Sequence, residues 1–138
     1  MAEPNYGNLV KTLKFQKGRG GANTKELVFV SSEEMANFDL NFIVGVHDTE
    51  GDWAPNHGSY DHPFDEVLLF FGYDPQDMNY LGSDMNLAIG KEQEQHTFNV
   101  PTVVSIPRGL VHFPITGNKV DKPYRMMQVG LGLQYKSQ

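Results

Sequence analysis

Apolar and polar positions alternate along several short stretches of the chain, and this period of two is typical of β-strands. Within Asn41–Asp48, the side chains of Phe42, Val44 and Val46 fall on one face. The stretch Glu66–Phe71 is apolar at every position after the first, as expected of a strand that is buried on both faces. These two stretches carry the strongest strand pattern in the sequence.

Weaker patterns predict further strands at Leu27–Val30, Asp84–Ile89, Gln95–Val100, Thr102–Ile106, Leu110–Ile115 and Met126–Tyr135. The segment Leu9–Phe15 mixes apolar and basic residues and could be an edge strand. Ser31–Glu34 has the spacing of a capping box, which predicts one short helical turn. Thr49–Ser59 and Thr116–Lys122 are predicted polar loops. Because no stretch has the pattern of a long amphipathic helix, the sequence predicts an all-β sandwich or barrel with at most short helical turns.

The chain has 138 residues, which fits one domain over 1–138. Hydrophobic residues make up 39% of it and charged residues 20%, as in an ordinary globular protein. The absence of cysteine excludes disulfides, thiolate metal sites and cysteine nucleophiles. No apolar run approaches the ~20 residues of a membrane span, and Met1–Asn5 lacks the apolar core of a signal peptide. We therefore expect a cytoplasmic protein without membrane partners.

Charge is distributed unevenly along the chain, whose formal net charge is -6. No Lys or Arg occurs between Lys25 and Lys91, and 13 of the 17 acidic residues lie in that interval. Binding to nucleic-acid phosphates requires basic side chains, so this composition argues against a nucleic-acid partner. Most of these acids are expected on a solvated face, where they favour solubility.

The residues best suited to chemistry are His62, Glu66 and His112, with His57 nearby in sequence. His62 and Glu66 are four residues apart, which in a strand places both side chains on one face, shared with apolar residues. A buried carboxylate is costly unless it is paired, and a metal ion is one common partner. Two histidines and one carboxylate form a frequent ligand set for iron, manganese, nickel or zinc. The alternative is that these side chains are hydrogen-bonded core residues.

Two motifs resemble those of the cupin family. The family's first motif has the form G-x5-H-x-H-x3,4-E-x6-G, and the second has the form G-x5-P-x-G-x2-H-x3-N. The chain carries His62, Glu66 and Gly72 of the first motif, and Pro107, Gly109 and His112 of the second at matching spacing. The resemblance extends over about half the chain, with a core at 56–125 that contains both motifs and a segment 1–26 that would be an N-terminal arm or edge strand. The similarity is to small single-domain bacterial cupins.

The sequence departs from the first motif at its beginning. Tyr60 stands where the first histidine is expected, and Ala54 stands where the first glycine is expected. Five residues rather than six separate Glu66 from Gly72, and Thr116 replaces the last asparagine of the second motif. Three ligand sets are therefore open: His57 could complete the site, Tyr60 could bind as a phenolate, or three ligands could leave positions for water and substrate.

The resemblance implies a double-stranded β-helix, which is a jelly-roll barrel, and one divalent transition metal, with iron or manganese favoured over zinc or nickel. It implies an enzyme that acts on a small oxygen-bearing organic substrate, such as a dioxygenase, isomerase, decarboxylase or lyase. Because fold does not determine reaction, a non-catalytic ligand-binding or structural barrel is the alternative. Cupins often pair through edge strands, so a homodimer is expected.

Several other side chains are weaker candidates for the same site. Tyr60 and His47 are the only candidates for a general base. Arg108, next to the second motif, could pair with an anionic substrate. Three aromatic residues could line a substrate pocket, although such residues are more often part of the core: Trp53, Phe70 and Phe113.

Overall fold

The computed structural model describes residues 6–17, 24–53 and 62–132, without the side chains of residues 52, 53 and 113. Nine strands form two antiparallel sheets within these residues. The five-stranded sheet has the order β1-β2-β9-β4-β7 and consists of β1 (Thr24–Val30), β2 (Asn41–His47), β4 (Glu66–Phe71), β7 (Thr102–Ile106) and β9 (Tyr124–Gly130). The four-stranded sheet has the order β3-β8-β5-β6 and consists of β3 (Gly51–Trp53), β5 (Ser83–Ile89), β6 (Glu94–Phe98) and β8 (His112–Val120). This architecture is an all-β jelly roll, as the sequence predicts.

Helical structure in the described part of the chain is limited to two short 3-10 turns, Gly7–Leu9 and Ser32–Met35. The second follows the predicted capping box, in which Ser31 N donates a hydrogen bond to Glu34 Oε1 at 3.5 Å. Neither turn is long and apolar enough to cross a membrane.

The core lies between the two sheets and is built by strict alternation of buried and partly buried positions. In β4 the residues Glu66, Leu68 and Phe70 are buried while their neighbours are not, and β9 follows the same pattern. Leu87 and Ile115 of the four-stranded sheet belong to the same apolar cluster. The inward faces of β4 and β9 are therefore apolar except at one end, where Glu66 and Gln128 are buried.

Strand positions agree closely with the alternation pattern in the middle of the chain. The predicted strands at Glu66–Phe71 and Thr102–Ile106 are confirmed at both ends, and the strand predicted at Asn41–Asp48 ends one residue earlier. The last strand ends at Gly130, and residues 133–135 of its predicted range lie outside the described part of the chain. Local sequence was thus sufficient for these strands, as alternation in Asn41–Asp48 and as an apolar run in Glu66–Phe71.

Three predictions about the remaining segments were wrong. Leu9–Phe15 forms no strand, and only the residue after it, Gln16, makes an isolated bridge to Leu27. The first strand, β1, begins at Thr24 within the proposed arm 1–26. The predicted loop Thr116–Lys122 is largely strand, because β8 continues to Val120 between its two partner strands. A short strand, β3, lies in the predicted loop Thr49–Ser59 and pairs with Ile115–Gly117. Backbone pairing with a distant strand stabilises both segments, although their side chains carry no strand pattern.

Candidate metal centre

The start of β4 presents two polar side chains to the barrel interior. The alternation of β4 extends backwards beyond its first residue, so that His62, Phe64 and Glu66 are all buried while Pro63 and Asp65 are exposed. Glu66 is only 1% exposed. The same-face relation predicted from the four-residue spacing is therefore confirmed, and an imidazole and a carboxylate face an apolar interior.

The turn between β7 and β8 brings His112 to the same end of the barrel. Gly109 N donates a hydrogen bond to the carbonyl oxygen of His62 at 2.9 Å, and Arg108 N donates to Asp65 Oδ1 at 2.8 Å. Gly109 has a φ of 77°, a left-handed conformation that favours glycine. These two bonds attach the second motif directly to the first, which explains why residues nearly fifty positions apart in the sequence meet here.

The three predicted ligands form one buried cluster. His112 Nε2 lies 3.0 Å from Glu66 Oε1, and His62 Nε2 lies 3.6 Å from Glu66 Oε2. One ligand atom from each residue falls within 4.8 Å of the other two, and all three residues are buried. A set of donors this close together could hold one metal ion.

The hydrogen bonds of His112 fit a metal ligand. Its Nδ1 lies 3.0 Å from the carbonyl oxygen of Leu110, which can only accept, so Nδ1 carries the proton. In a neutral imidazole, Nε2 then presents a lone pair toward Glu66 Oε1. Because Nε2 and Oε1 would both be acceptors at 3.0 Å, a cation must lie between them, either a proton or a metal ion. Two ligand atoms about 2.1 Å from one ion and at right angles are themselves about 3 Å apart, so the spacing suits a metal. A ligand imidazole anchored through its other nitrogen is also the usual arrangement.

Gln128 orients the carboxylate of Glu66. It lies on the inward face of β9, is 3% exposed, and its Nε2 donates a hydrogen bond to Glu66 Oε2 at 3.0 Å. Burial alone would raise the pKa of Glu66, but hydrogen bonds from a protonated His112 and from Gln128, and the positive charge that both histidines carry when they are protonated, outweigh burial and lower the pKa in the metal-free protein. Glu66 is thus held as a carboxylate, the form that binds metal.

Sequence reasoning missed Gln128 and a second buried amide, Asn41. Asn41 begins β2, pairs with Gly130 of β9, and is 0% exposed, while Glu66 pairs with Gly130 from the other side. Alternation could have predicted both amides as inward polar residues, because Asn41 and Gln128 stand at strand positions whose neighbours two residues away face the core. Asn41 Nδ2 donates to the carbonyl oxygen of Gly132 at 2.8 Å.

The structure does not bring His47 to the cluster. His47 ends β2 opposite Tyr124, six residues from Asn41, which corresponds to about 20 Å along the strand. Its ring stacks on that of Tyr124 with centroids 5.1 Å apart, and its Nδ1 lies 3.2 Å from Thr24 Oγ1. Burial lowers the pKa of His47 to about 3, so the imidazole is neutral. This packing is that of a core residue, and the hypothesis that His47 is a general base at the cluster has no geometric support.

The other candidate residues are dispersed or fall outside the described residues. Phe70 is buried in the core four residues beyond Glu66, with its ring centroid 5.0 Å from that of Phe98. Arg108 is exposed on the turn, where its backbone rather than its guanidinium makes the described contact. His57 and Tyr60 lie outside the described residues, as do the side chains of Trp53 and Phe113, whose backbones belong to β3 and β8.

A surface cleft of about 560 Å³ lies away from the cluster. It is lined by residues that include Lys25, Val46, Tyr73 and Lys122, and so lies near the His47 end of the five-stranded sheet. Because this cleft is open and contains none of the buried histidine or carboxylate groups, the cluster chemistry rather than cavity size identifies the candidate site.

No protein-family model and no curated protein matches the chain. Among solved structures, a deletion mutant of oxalate decarboxylase from Bacillus subtilis matches with a TM-score of 0.58 at 13% identity, covering 91% of this chain and 29% of that one. A second structure of this enzyme, from work on its Mn(II) centres, matches with a TM-score of 0.58 at 12% identity, covering 89% of this chain and 29% of that one.

Peruvianin-I, a cysteine peptidase from Thevetia peruviana latex, matches with a TM-score of 0.64 at 10% identity, covering 95% of this chain and 76% of that one. Cysteine peptidase chemistry needs a thiol that this cysteine-free chain lacks. The chain spans less than a third of the length of the oxalate decarboxylase, and identities this low speak for fold alone. The chain therefore has the jelly-roll fold found in the oxalate decarboxylase cupins, with a buried His/Glu/His cluster that could hold a metal ion.

Proposed function

We propose that the protein is a divalent-metal-dependent cupin whose metal is held by His62, Glu66 and His112. The observation that carries the proposal is the 3.0 Å approach of His112 Nε2 to Glu66 Oε1, with the other imidazole nitrogen bonded to the Leu110 carbonyl. The charge of a buried carboxylate between two imidazoles is compensated by a protonated imidazole or by a metal ion, and a transition metal satisfies all three donors together.

We expect the metal to be manganese or iron. Two imidazole nitrogens and one carboxylate suit these metals, and the same donors can also bind zinc or nickel. The manganese of the Bacillus subtilis oxalate decarboxylase supports this choice by analogy of fold. Three ligands leave coordination positions open, and these would be filled by water, by substrate, or by His57 or Tyr60.

We further propose an enzyme that acts on a small oxygen-bearing organic molecule. The metal would supply Lewis-acid chemistry to a substrate oxygen, or activation of dioxygen if it is iron. Gln128 and the Leu110 carbonyl would keep Glu66 and His112 in ligating orientation, and the apolar residues beyond Glu66 would exclude water. Reaction types consistent with this arrangement are those of a dioxygenase, isomerase, decarboxylase or lyase.

A non-catalytic ligand-binding barrel is the second candidate. Among the side chains that the structure describes, Glu66 is the only buried carboxylate, and no lysine is buried. Since Glu66 is assigned to the metal, these residues supply no carboxylate or amine for proton transfer. A protein that binds a small molecule on its metal without turning it over would show the same cluster.

Metal analysis tests the metal-dependent function directly. Protein purified without added metal should contain close to one equivalent of a divalent transition metal, and His112→Ala should contain almost none. His96→Ala is the matched control, because His96 also contacts a glutamate but on the exposed surface. Wild-type protein without metal, or equal metal in wild type and His112→Ala, would contradict the proposal.

We also propose a homodimer in which the N-terminal segment contributes to the interface. Leu9 and Val10 are 57% and 78% exposed, and apolar side chains this accessible are often covered by a partner. Light scattering of the full chain would give the mass of a dimer, whereas the mass of a monomer at micromolar concentration would contradict this.

A further inference from the structure

Gln128 has a carboxamide whose orientation is determined by Glu66. Since the carboxylate can only accept, the atom of Gln128 that lies 3.0 Å from Glu66 Oε2 must be the amide nitrogen. The amide oxygen Oε1 is attached to the same carbon and therefore lies beside the carboxylate. No donor within residues 6–17, 24–53 and 62–132 bonds to this buried oxygen. A buried acceptor of this kind is expected to receive a hydrogen bond from another molecule.

Asn41 provides a second acceptor on the same inward face. The carbonyl of Gly132 can only accept, so Nδ2 of Asn41 points to it and the orientation of this amide is also determined. Oδ1 of Asn41 is buried and has no hydrogen-bond donor in the described part of the chain. Asn41 and Glu66 flank Gly130 from either side, and Gln128 is the next inward residue on the same strand. The inner face beside Glu66 therefore presents two amide oxygens and a carboxylate, all of them acceptors.

Positive charge is absent from this face of the barrel, as far as the structure describes it. Every described lysine and arginine is exposed except Arg125, which is partly buried and lies with its guanidinium carbon 3.8 Å from the ring centroid of Tyr73. In the sheet Arg125 pairs with Val46 and Phe71, which lie at the end that carries His47 and far from Glu66. A ligand carrying carboxylates would meet acceptors rather than cations beyond the metal itself, whereas a hydroxyl group would meet suitable partners.

We propose that Gln128 selects a neutral, hydroxyl-bearing ligand by accepting a hydrogen bond from that hydroxyl at Oε1, while its Nε2 positions Glu66. Asn41 offers the second acceptor for a further hydroxyl or amide N–H of the same ligand. This inference rests on the proposed metal-dependent function and deepens it, since it names the chemical class that would bind. The ligand class is a small hydroxy-carbonyl compound or polyol, with one oxygen on the metal and an adjacent O–H on Gln128.

The experiment compares two probes, hydroxyacetone and methoxyacetone, in which the oxygen beside the carbonyl group carries a hydrogen or a methyl group. Both are titrated into Co(II)-loaded protein, and binding is followed by the visible absorption of the metal. Wild type should bind hydroxyacetone about tenfold more tightly than methoxyacetone, the value of one good hydrogen bond. In Gln128→Met, which keeps the side-chain length without the amide, this ratio should fall to within about twofold of unity. Intrinsic chelation and steric differences between the probes cancel when the two proteins are compared.

Gln76→Met, on the exposed turn after β4, is the matched control and should keep the wild-type ratio. Gln128→Met should also lose about 10- to 100-fold in Co(II) affinity, so it is titrated at saturating metal. If Gln128→Met does not fold, Asn41→Ala should still lower the affinity for 1,3-dihydroxyacetone, which carries a further hydroxyl, about tenfold relative to hydroxyacetone, and an unchanged ratio there overturns the inference. A wild-type ratio near one, or the same ratio in Gln128→Met, overturns the inference while the metal site stands. Failure of wild type to bind Co(II) overturns both proposals together.

Discussion

Both ends of the five-stranded sheet have buried histidines beside them, but among the described residues only one end has a buried carboxylate. At one end His62 and His112 contact Glu66, and Gln128 completes the network. At the other end His47 packs between the ring of Tyr124 and the hydroxyl of Thr24. Burial lowers the pKa of His47 to about 3, so this histidine remains neutral as a polar core residue. A buried imidazole thus becomes a candidate ligand only when a buried carboxylate faces it.

Removing the charge of Glu66 should produce the largest effect on the difference in metal binding between the two ends of the sheet. Glu66→Gln keeps the shape of the side chain but loses the anionic ligand, so metal affinity should fall by at least about 100-fold, more than for loss of a residue that merely supports a ligand. Isothermal titration with Mn(II) would measure it. Glu94→Gln is the control, because Glu94 forms an exposed pair with His96 at 2.6 Å. Equal affinity in Glu66→Gln and wild type would remove the distinction between the two ends.

His47 should make the folded protein sensitive to acid. A histidine in the unfolded chain takes up a proton near pH 6.5, whereas His47 in the folded protein does so only at a pH of about 3. Between these values the unfolded state binds more protons, so the free energy of unfolding falls as pH falls. At pH 4.5, two units below the ordinary value, the loss is about 2.7 kcal/mol. His47→Phe, which can still stack on Tyr124, should lack this loss in urea unfolding at pH 7 and pH 4.5.

The control for this measurement is His96→Phe, which removes an exposed histidine and should retain the acid-induced loss that depends on His47. An identical acid response in wild type and His47→Phe would mean that His47 is not held neutral. Metal-free protein is used throughout, so that metal release does not contribute, and any titration of the cluster is common to the proteins compared.

Packing behind the cluster should have a smaller effect. A Cβ at Gly132 would lie 2.6 Å from Phe64 Cδ2 and 2.9 Å from Phe64 Cβ, so Gly132→Ala must displace the residue between His62 and Glu66. We expect a loss of about 1–3 kcal/mol in stability, together with weaker metal binding. Thermal unfolding with and without Mn(II) would measure both. Gly7→Ala has nothing within 4 Å of the added carbon and should change neither.

The smallest expected effect concerns the hydroxyl beside His47. Thr24→Val keeps the shape and removes the hydrogen bond to Nδ1, which should cost about 1 kcal/mol in urea unfolding. Metal affinity should remain at the wild-type value, because Thr24 lies at the end of the sheet away from Glu66. A parallel loss of metal affinity would indicate that the two ends are coupled.

Much of this architecture was predictable because alternation is a local property. The strand at Glu66–Phe71 follows from its apolar run, and that at Thr102–Ile106 from a short strand-like stretch between turns. The spacing of His62 and Glu66 placed both on one face. The polar end of β8 and the whole of β3 were not predictable in this way. Their stability comes from backbone hydrogen bonds to strands far away in the sequence. Such bonds do not require an alternating side-chain pattern, so the local sequence does not indicate them.

The sequence by itself determined the all-β class, the inward direction of His62 and Glu66, and the identity of the three candidate ligands. Only the tertiary structure decided that His112 approaches Glu66 to 3.0 Å and that His47 lies at the far end of the sheet. It also assigned Gln128 to the carboxylate, which no local spacing indicated. The physical reason is that period two tells which face a side chain occupies, whereas the register between strands determines which side chains share a level.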